Sequence, residues 1–105
     1  MEQQLPAIRS ATEHGRLLWK RHALERMLER GISRALVKQT ILQGEVVESY
    51  PDDYPLPSLL ICTIEPSPLH VVLAWDEAAE ECYIITAYRP DLEHFEDDFM
   101  HRRSK

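Results

Sequence analysis

At Gly44 the hydrophobic pattern of this chain changes period, and that change restricts the fold to helices first and strands after. Ahead of it, the segment His22–Ile32 gathers Ala23, Leu24, Met27 and Leu28 into one sector at helical spacing, the side expected to face a core. Gly31 suits the left-handed residue that ends a helix, so the first helix is expected over 20–30. Ser33 can cap a second helix over 33–43, with Leu36, Val37, Thr40 and Ile41 on its inner side. The two are expected as antiparallel neighbours joined by a tight turn. Behind Gly44, apolar and β-branched residues fall into four strand-like segments, 45–50, 58–65, 69–75 and 81–88. The linker Pro51-Asp52-Asp53-Tyr54-Pro55-Leu56-Pro57 holds three prolines, which excludes it from a central strand and makes it a rigid exposed loop. Glu65–Pro68 and Asp76–Glu80 are short enough to make the last three strands an antiparallel meander.

The ends are less patterned. Leu5, Ile8 and Ala11 hint at a helical stripe between Pro6 and Gly15, and Arg16-Leu17-Leu18-Trp19 could form a short edge strand. Pro90-Asp91 is expected to open a final helix with Leu92, Phe95 and Phe99 as its apolar stripe. Acids crowd its first half and His101, Arg102 and Arg103 its end, the order that the helix dipole favours. The expectation is one α+β domain over residues 1–105, with 1–15 as an N-terminal extension and 16–103 as the core. Two N-terminal helices pack on a mostly antiparallel four-stranded sheet, and a third helix lies at the C-terminus.

A chain of 105 residues, 44% of them hydrophobic and only three of them glycine, can bury a single core. No apolar run approaches the roughly 20 residues that span a bilayer, and Met1-Glu2-Gln3-Gln4 lacks the pattern of a secretory signal. Cys62 and Cys82 lie in apolar strand-like runs, where they read as buried thiols rather than as a disulfide or a metal pair. A cytoplasmic protein is expected, with no membrane association. The net charge of −6 conceals a polarity. Residues 1–38 carry eight Lys/Arg against four Asp/Glu, residues 39–98 carry only Arg89 against fourteen acids, and the last seven add three cations. Such a balance opposes a broad nucleic-acid-binding field but permits a localised basic site.

The residues capable of chemistry are few. On the first helix His22 and Arg26 lie about 40° apart, away from the apolar sector, with Arg30 at its flank. An imidazole beside two permanent cations could bind and act on a phosphate; an exposed helix face is also commonly just charged. In the strand 69–75, alternation turns His70 to the face opposite Leu69, Val71, Leu73 and Trp75. It could equally be a histidine satisfied within a half-buried sheet. In the last strand, alternation places Thr86 and Tyr88 with Cys82 and Ile84. No H-E-x-x-H or paired C-x-x-C spacing is present, so His22, His70 and His94 do not read as a metal site, and no metal or other cofactor is expected.

Taken in order, the helix 22–32, Gly44–Pro51, Pro68–Val72 and Ile84–Asp91 resemble a family of small bacterial proteins catalogued as domain of unknown function 4258. That family is grouped with the RelE-like toxins of toxin–antitoxin pairs. The resemblance implies a RelE-like fold in which the exposed face of the sheet forms the active cleft. It further implies an endoribonuclease that needs no metal, acting by attack of a ribose 2′-hydroxyl on the adjacent phosphate, and an antitoxin protein that covers it. On this reading His22 or His70 supplies acid or base, Tyr88 is an alternative acid, and Arg26 and Arg30 hold the phosphate. The alternative is a non-catalytic module of the same fold that binds protein or nucleic acid. Convergence of His22, Arg26, His70 and Tyr88 in one pocket would favour the enzyme, and dispersal the module.

Overall fold

The computed structural model describes residues 2–104. Three helices, α1 (Leu5–Glu13), α2 (Arg21–Arg30) and α3 (Arg34–Gln43), lie on one face of a five-stranded sheet. The strands are β1 (Leu17–Trp19), β2 (Glu45–Tyr50), β3 (Ser58–Thr63), β4 (Leu69–Asp76) and β5 (Glu81–Tyr88), in the order β1-β5-β4-β3-β2. No helix among the described residues is long and apolar enough to cross a membrane. Ile8, Ala11, Met27, Val37 and Ile41 meet Leu59, Ile61, Val71, Leu73, Trp75 and Ile84 in the core between helices and sheet.

Local chemistry sets the helix ends. Gly31 takes a left-handed φ of 65°, and Ile32 N–H closes on the Met27 carbonyl at 2.9 Å. Ser33 Oγ then accepts from Leu36 N–H at 3.1 Å. Helix α2 packs on β5, whereas α3 packs on α1, β3 and β4, so the two consecutive helices rest on different partners. Arg9 of α1 fastens that arrangement by donating to the carbonyls of Ile41 (3.0 Å) and Gly44 (2.7 Å), a cation at the negative end of α3. Leu28, expected in the core, is 84% exposed. It lies about 140° round the helix from Ala23, and a ten-residue helix seated on one strand buries only a narrower stripe.

Gly44 is required for its small size. A Cβ there would lie 2.5 Å from the Thr40 carbonyl oxygen, 2.6 Å from that of Cys62 and 2.8 Å from Ile61 Cγ2, because the chain passes from α3 straight into a paired strand. Gly44→Ala is expected to cost about 1–3 kcal/mol through this overpacking, read as a lower midpoint in urea with an unchanged slope.

Three parts of the expected architecture are corrected. Among the described residues there are three α-helices ahead of Gly44 and not two, because α1 buries Ile8 and Ala11 in the core and so is part of it and not an extension. The sheet has five strands and is mixed, because Leu17, Leu18 and Trp19 pair in parallel with Cys82, Tyr83 and Ile84. The pairing starts where Cys82 N–H donates to the Arg16 carbonyl at 3.0 Å. The C-terminal helix does not form. Asp91 Oδ1 accepts from the N–H groups of Glu93 and His94, one turn closes from Phe95 N–H to the Asp91 carbonyl at 3.1 Å, and the chain then leaves helical geometry. Asp98 repeats the device with Met100 and His101, and Phe99 adopts a φ of +59°. Side-chain acceptors that bond the adjacent backbone compete with a helix, and four acids within residues 93–98 repel one another along it. The segment folds back instead, bridging Phe95 to Arg102, and lays Phe95 on the sheet face that the helices leave bare.

Candidate functional site

The histidine of β4 occupies that second face. His70 pairs across the ladder with Tyr88 and is wholly buried, at 0% exposure. Its Nε2 lies 2.6 Å from the Phe99 carbonyl, and its Nδ1 lies 3.2 Å from the Tyr88 hydroxyl. A carbonyl only accepts, so Nε2 carries the hydrogen and Nδ1 accepts from Tyr88 O–H in the neutral ring. The Phe95 ring meets the imidazole edge-on at 4.7 Å. Burial holds the His70 pKa below the ordinary histidine value, against the pull of the Phe99 carbonyl and the more distant Glu48.

A pH dependence follows. With a folded-state pKa depressed below the unfolded one, the stability His70 contributes is complete above about pH 6.5 and is lost as the pH falls through the folded value. Thermal melts are expected to show Tm falling from about pH 6.5 towards pH 5, and the fall to be flattened in His70→Gln. The other titrating groups are the same in both proteins, so the difference between their pH profiles isolates His70.

Tyr88 reaches this face because of a bulge. Val72 pairs with Thr86 but Leu73 with Ile84, leaving Ile85 as the extra residue. The bulge reverses the alternation, so Tyr88 joins His70 and not Cys82 and Ile84, as a regular strand would have it. The two thiols accordingly lie on opposite faces, both free, with burial first among the causes that push Cys62 up to about 11 and Cys82 up to about 12.

The residues singled out on α2 are elsewhere. His22 and Arg26 are exposed on the helix that packs against the other side of the sheet, and Arg26 pairs with Glu29 at 3.6 Å. Arg30 reaches β5 beyond the end of β1, donating to the Ala87 carbonyl at 2.9 Å and to Thr86 Oγ1 at 3.3 Å. His70 and Tyr88 therefore meet, while His22 and Arg26 do not join them.

The second face brings together three residues that the sequence reading passed over. Glu48 and Tyr50 lie two apart on β2 and so point the same way, and the Tyr50 hydroxyl donates to Glu48 Oε1 in a short hydrogen bond. Arg102 donates to both oxygens of the same carboxylate, Nε to Oε2 at 3.2 Å and Nη2 to Oε1 at 2.9 Å. Side-chain exposure is 32% for Glu48 and 55% for Arg102, so the set is open to solvent. Arg102, and next the Tyr50 hydroxyl, hold the Glu48 carboxyl below the usual range, while burial and Glu48 raise Tyr50 and keep its proton on. Glu-x-Tyr on a strand could have been noticed; Arg102 arrives only through the fold-back of the C-terminal segment.

Elsewhere on the molecule, a cleft of about 340 Å³ is lined by Lys20, Asp53, Tyr54, Leu56, Tyr83 and Ile85. Among the described residues, the one group of three potential metal-ligating side chains with ligand atoms within 4.8 Å of one another is Asp91, Glu93 and His94, all exposed.

A family model described as "Domain of unknown function (DUF4258)" matches residues 19–89. No curated protein and no solved structure matches the chain.

Proposed function

The chain belongs to the DUF4258 family, and from that premise we propose that it is a toxin-type, metal-independent endoribonuclease working on the outer face of its sheet. The carrying observation is the Glu48–Tyr50–Arg102 set: an ionised carboxylate, a protonated phenol and a guanidinium in mutual contact and open to solvent. The resemblance to RelE-like toxins implies a cleft on this face.

Glu48 takes the proton of the ribose 2′-hydroxyl, and the 2′-oxygen attacks the adjacent phosphorus. The bond from phosphorus to the 5′-oxygen breaks, and Tyr50 protonates that oxygen. The products are a 2′,3′-cyclic phosphate and a 5′-hydroxyl. The Glu48–Tyr50 hydrogen bond then returns the proton from the carboxyl to the phenolate. Arg102 has N–H groups beyond the two bound to Glu48, and these neutralise the charge growing on the phosphate. His70 acts through others. It fixes Tyr88 and, through the Phe99 carbonyl, the segment that presents Arg102. An antitoxin, implied by the resemblance, would silence the site by covering it.

The second reading is a non-catalytic module that binds protein or nucleic acid. It is favoured by the separation of His22 and Arg26 from His70 and by a purely structural use of the Arg102–Glu48 pair as a tether. Mapping RNA ends in cells after induction separates the two. New ends are expected with the wild type and with His22→Ala,Arg26→Ala, and their disappearance with Glu48→Gln. Ends that persist in Glu48→Gln and vanish in the α2 variant would move the site to the helix. No new ends from soluble, folded wild type would leave the module.

A further inference from the structure

We propose that the cleft between the 51–57 loop and β5 is a nucleobase pocket for single-stranded RNA. This rests on the endoribonuclease reading and adds where the strand is gripped away from the cut. Four observations converge there. Tyr54 is 96% exposed, yet it is carried by a loop anchored at both ends: Asp53 N–H donates to the Tyr50 carbonyl at 3.2 Å, and Trp75 N–H to that of Pro57 at 3.0 Å. The opposite wall is apolar, with Ala74, Tyr83 and the bulge residue Ile85, which is 44% exposed. The Lys20 ammonium stands 5.6 Å from the centre of the Tyr83 ring. Asp53 receives the Ser58 hydroxyl on Oδ2, leaving Oδ1 as an acceptor at the rim.

An aromatic ring free to stack, an apolar wall, one cation and one carboxylate acceptor fit a planar base with its phosphate. The base stacks on Tyr54 and Tyr83, and Lys20 neutralises the phosphate. The Asp53 carboxylate accepts from an exocyclic amino group, which favours adenine, cytosine or guanine over uracil. Charge agrees, because Lys20 and Arg21 belong to the basic N-terminal third of an otherwise acidic chain. Tyr50, Ser58, Ala74 and Tyr83 form one row across the sheet. Three strand spacings, about 14 Å, separate Tyr83 from Tyr50, so the pocket holds a neighbouring base and not the one at the cut.

The test measures binding of fluorescein-labelled oligo(rC) and oligo(rU) to full-length Glu48→Gln protein, which would leave them uncut. Wild-type cleavage is followed separately. The expected result is tighter binding of oligo(rC), and about a tenfold loss with Tyr54→Ala or Tyr83→Leu. Lys20→Gln weakens both oligomers alike and lowers the salt dependence. Tyr54→Ala alters a side chain almost wholly in solvent, so its fold is preserved. Affinity unchanged by Tyr54→Ala and Tyr83→Leu overturns the pocket while wild-type cleavage leaves the ribonuclease standing. Failure to bind either oligomer also overturns the pocket, and absence of cleavage as well overturns the ribonuclease.

Discussion

His70→Ala is expected to destabilise the protein by about 3 kcal/mol, a larger loss of stability than Gly44→Ala or Glu48→Gln brings. The substitution empties a site of zero exposure and removes the edge-on contact with Phe95. It also leaves the Phe99 carbonyl and the Tyr88 hydroxyl without the partner each has in the ring. For a domain of this size, that corresponds to a fall in Tm of roughly 12–24 °C. The loss is local first, because His70 is what the C-terminal fold-back grips. Limited proteolysis is expected to cut near residues 96–104 in the variant before the rest of the chain, and not in the wild type. A cost below about 1 kcal/mol with no new cleavage would show that Phe95 and the Arg102–Glu48 pair hold the segment without the imidazole.

Glu48→Gln is expected to lower the rate of RNA cleavage by about 10²–10⁴-fold while altering stability by no more than about 1 kcal/mol. Glutamine retains the shape and can still accept from Arg102, but it cannot take a proton from a 2′-hydroxyl. Arg102→Lys keeps the charge and loses the two-pronged contact, so it should retain folding and lose most of the rate. A variant that unfolds cannot be confused with one that is merely inactive, because Tm is read beside activity.

Much of the fold was legible because it depends on local pattern. Gly31 and Ser33 mark the junction of α2 and α3, and the four segments after Gly44 became β2 to β5 with small shifts at their ends. The misses have one physical origin, tertiary contacts that override local spacing. Leu17–Trp19 is the short edge strand its sequence suggested, but its parallel pairing with β5, which makes the sheet five-stranded and mixed, depends on a partner far along the chain. Leu92, Phe95 and Phe99 have helical spacing, but Asp91 and Asp98 bond the adjacent backbone and His70 holds the Phe99 carbonyl, so the stripe is broken. For the site, alternation placed His70 on the face away from the helices, and the bulge added Tyr88 to it. Arg102 could not be foreseen. It stands 54 residues from Glu48, and the two meet only because the segment turns back across the sheet.

The most direct measurement is the chemistry of the ends left on a short oligoribonucleotide by purified protein with a metal chelator present. Paired with it is the same oligomer carrying a single 2′-deoxy residue at the cut. The account predicts a 2′,3′-cyclic phosphate and a 5′-hydroxyl, no cleavage at the deoxy position, and loss of both products with Glu48→Gln. Intact oligomer with folded wild type, or the same products from Glu48→Gln at an undiminished rate, would contradict it.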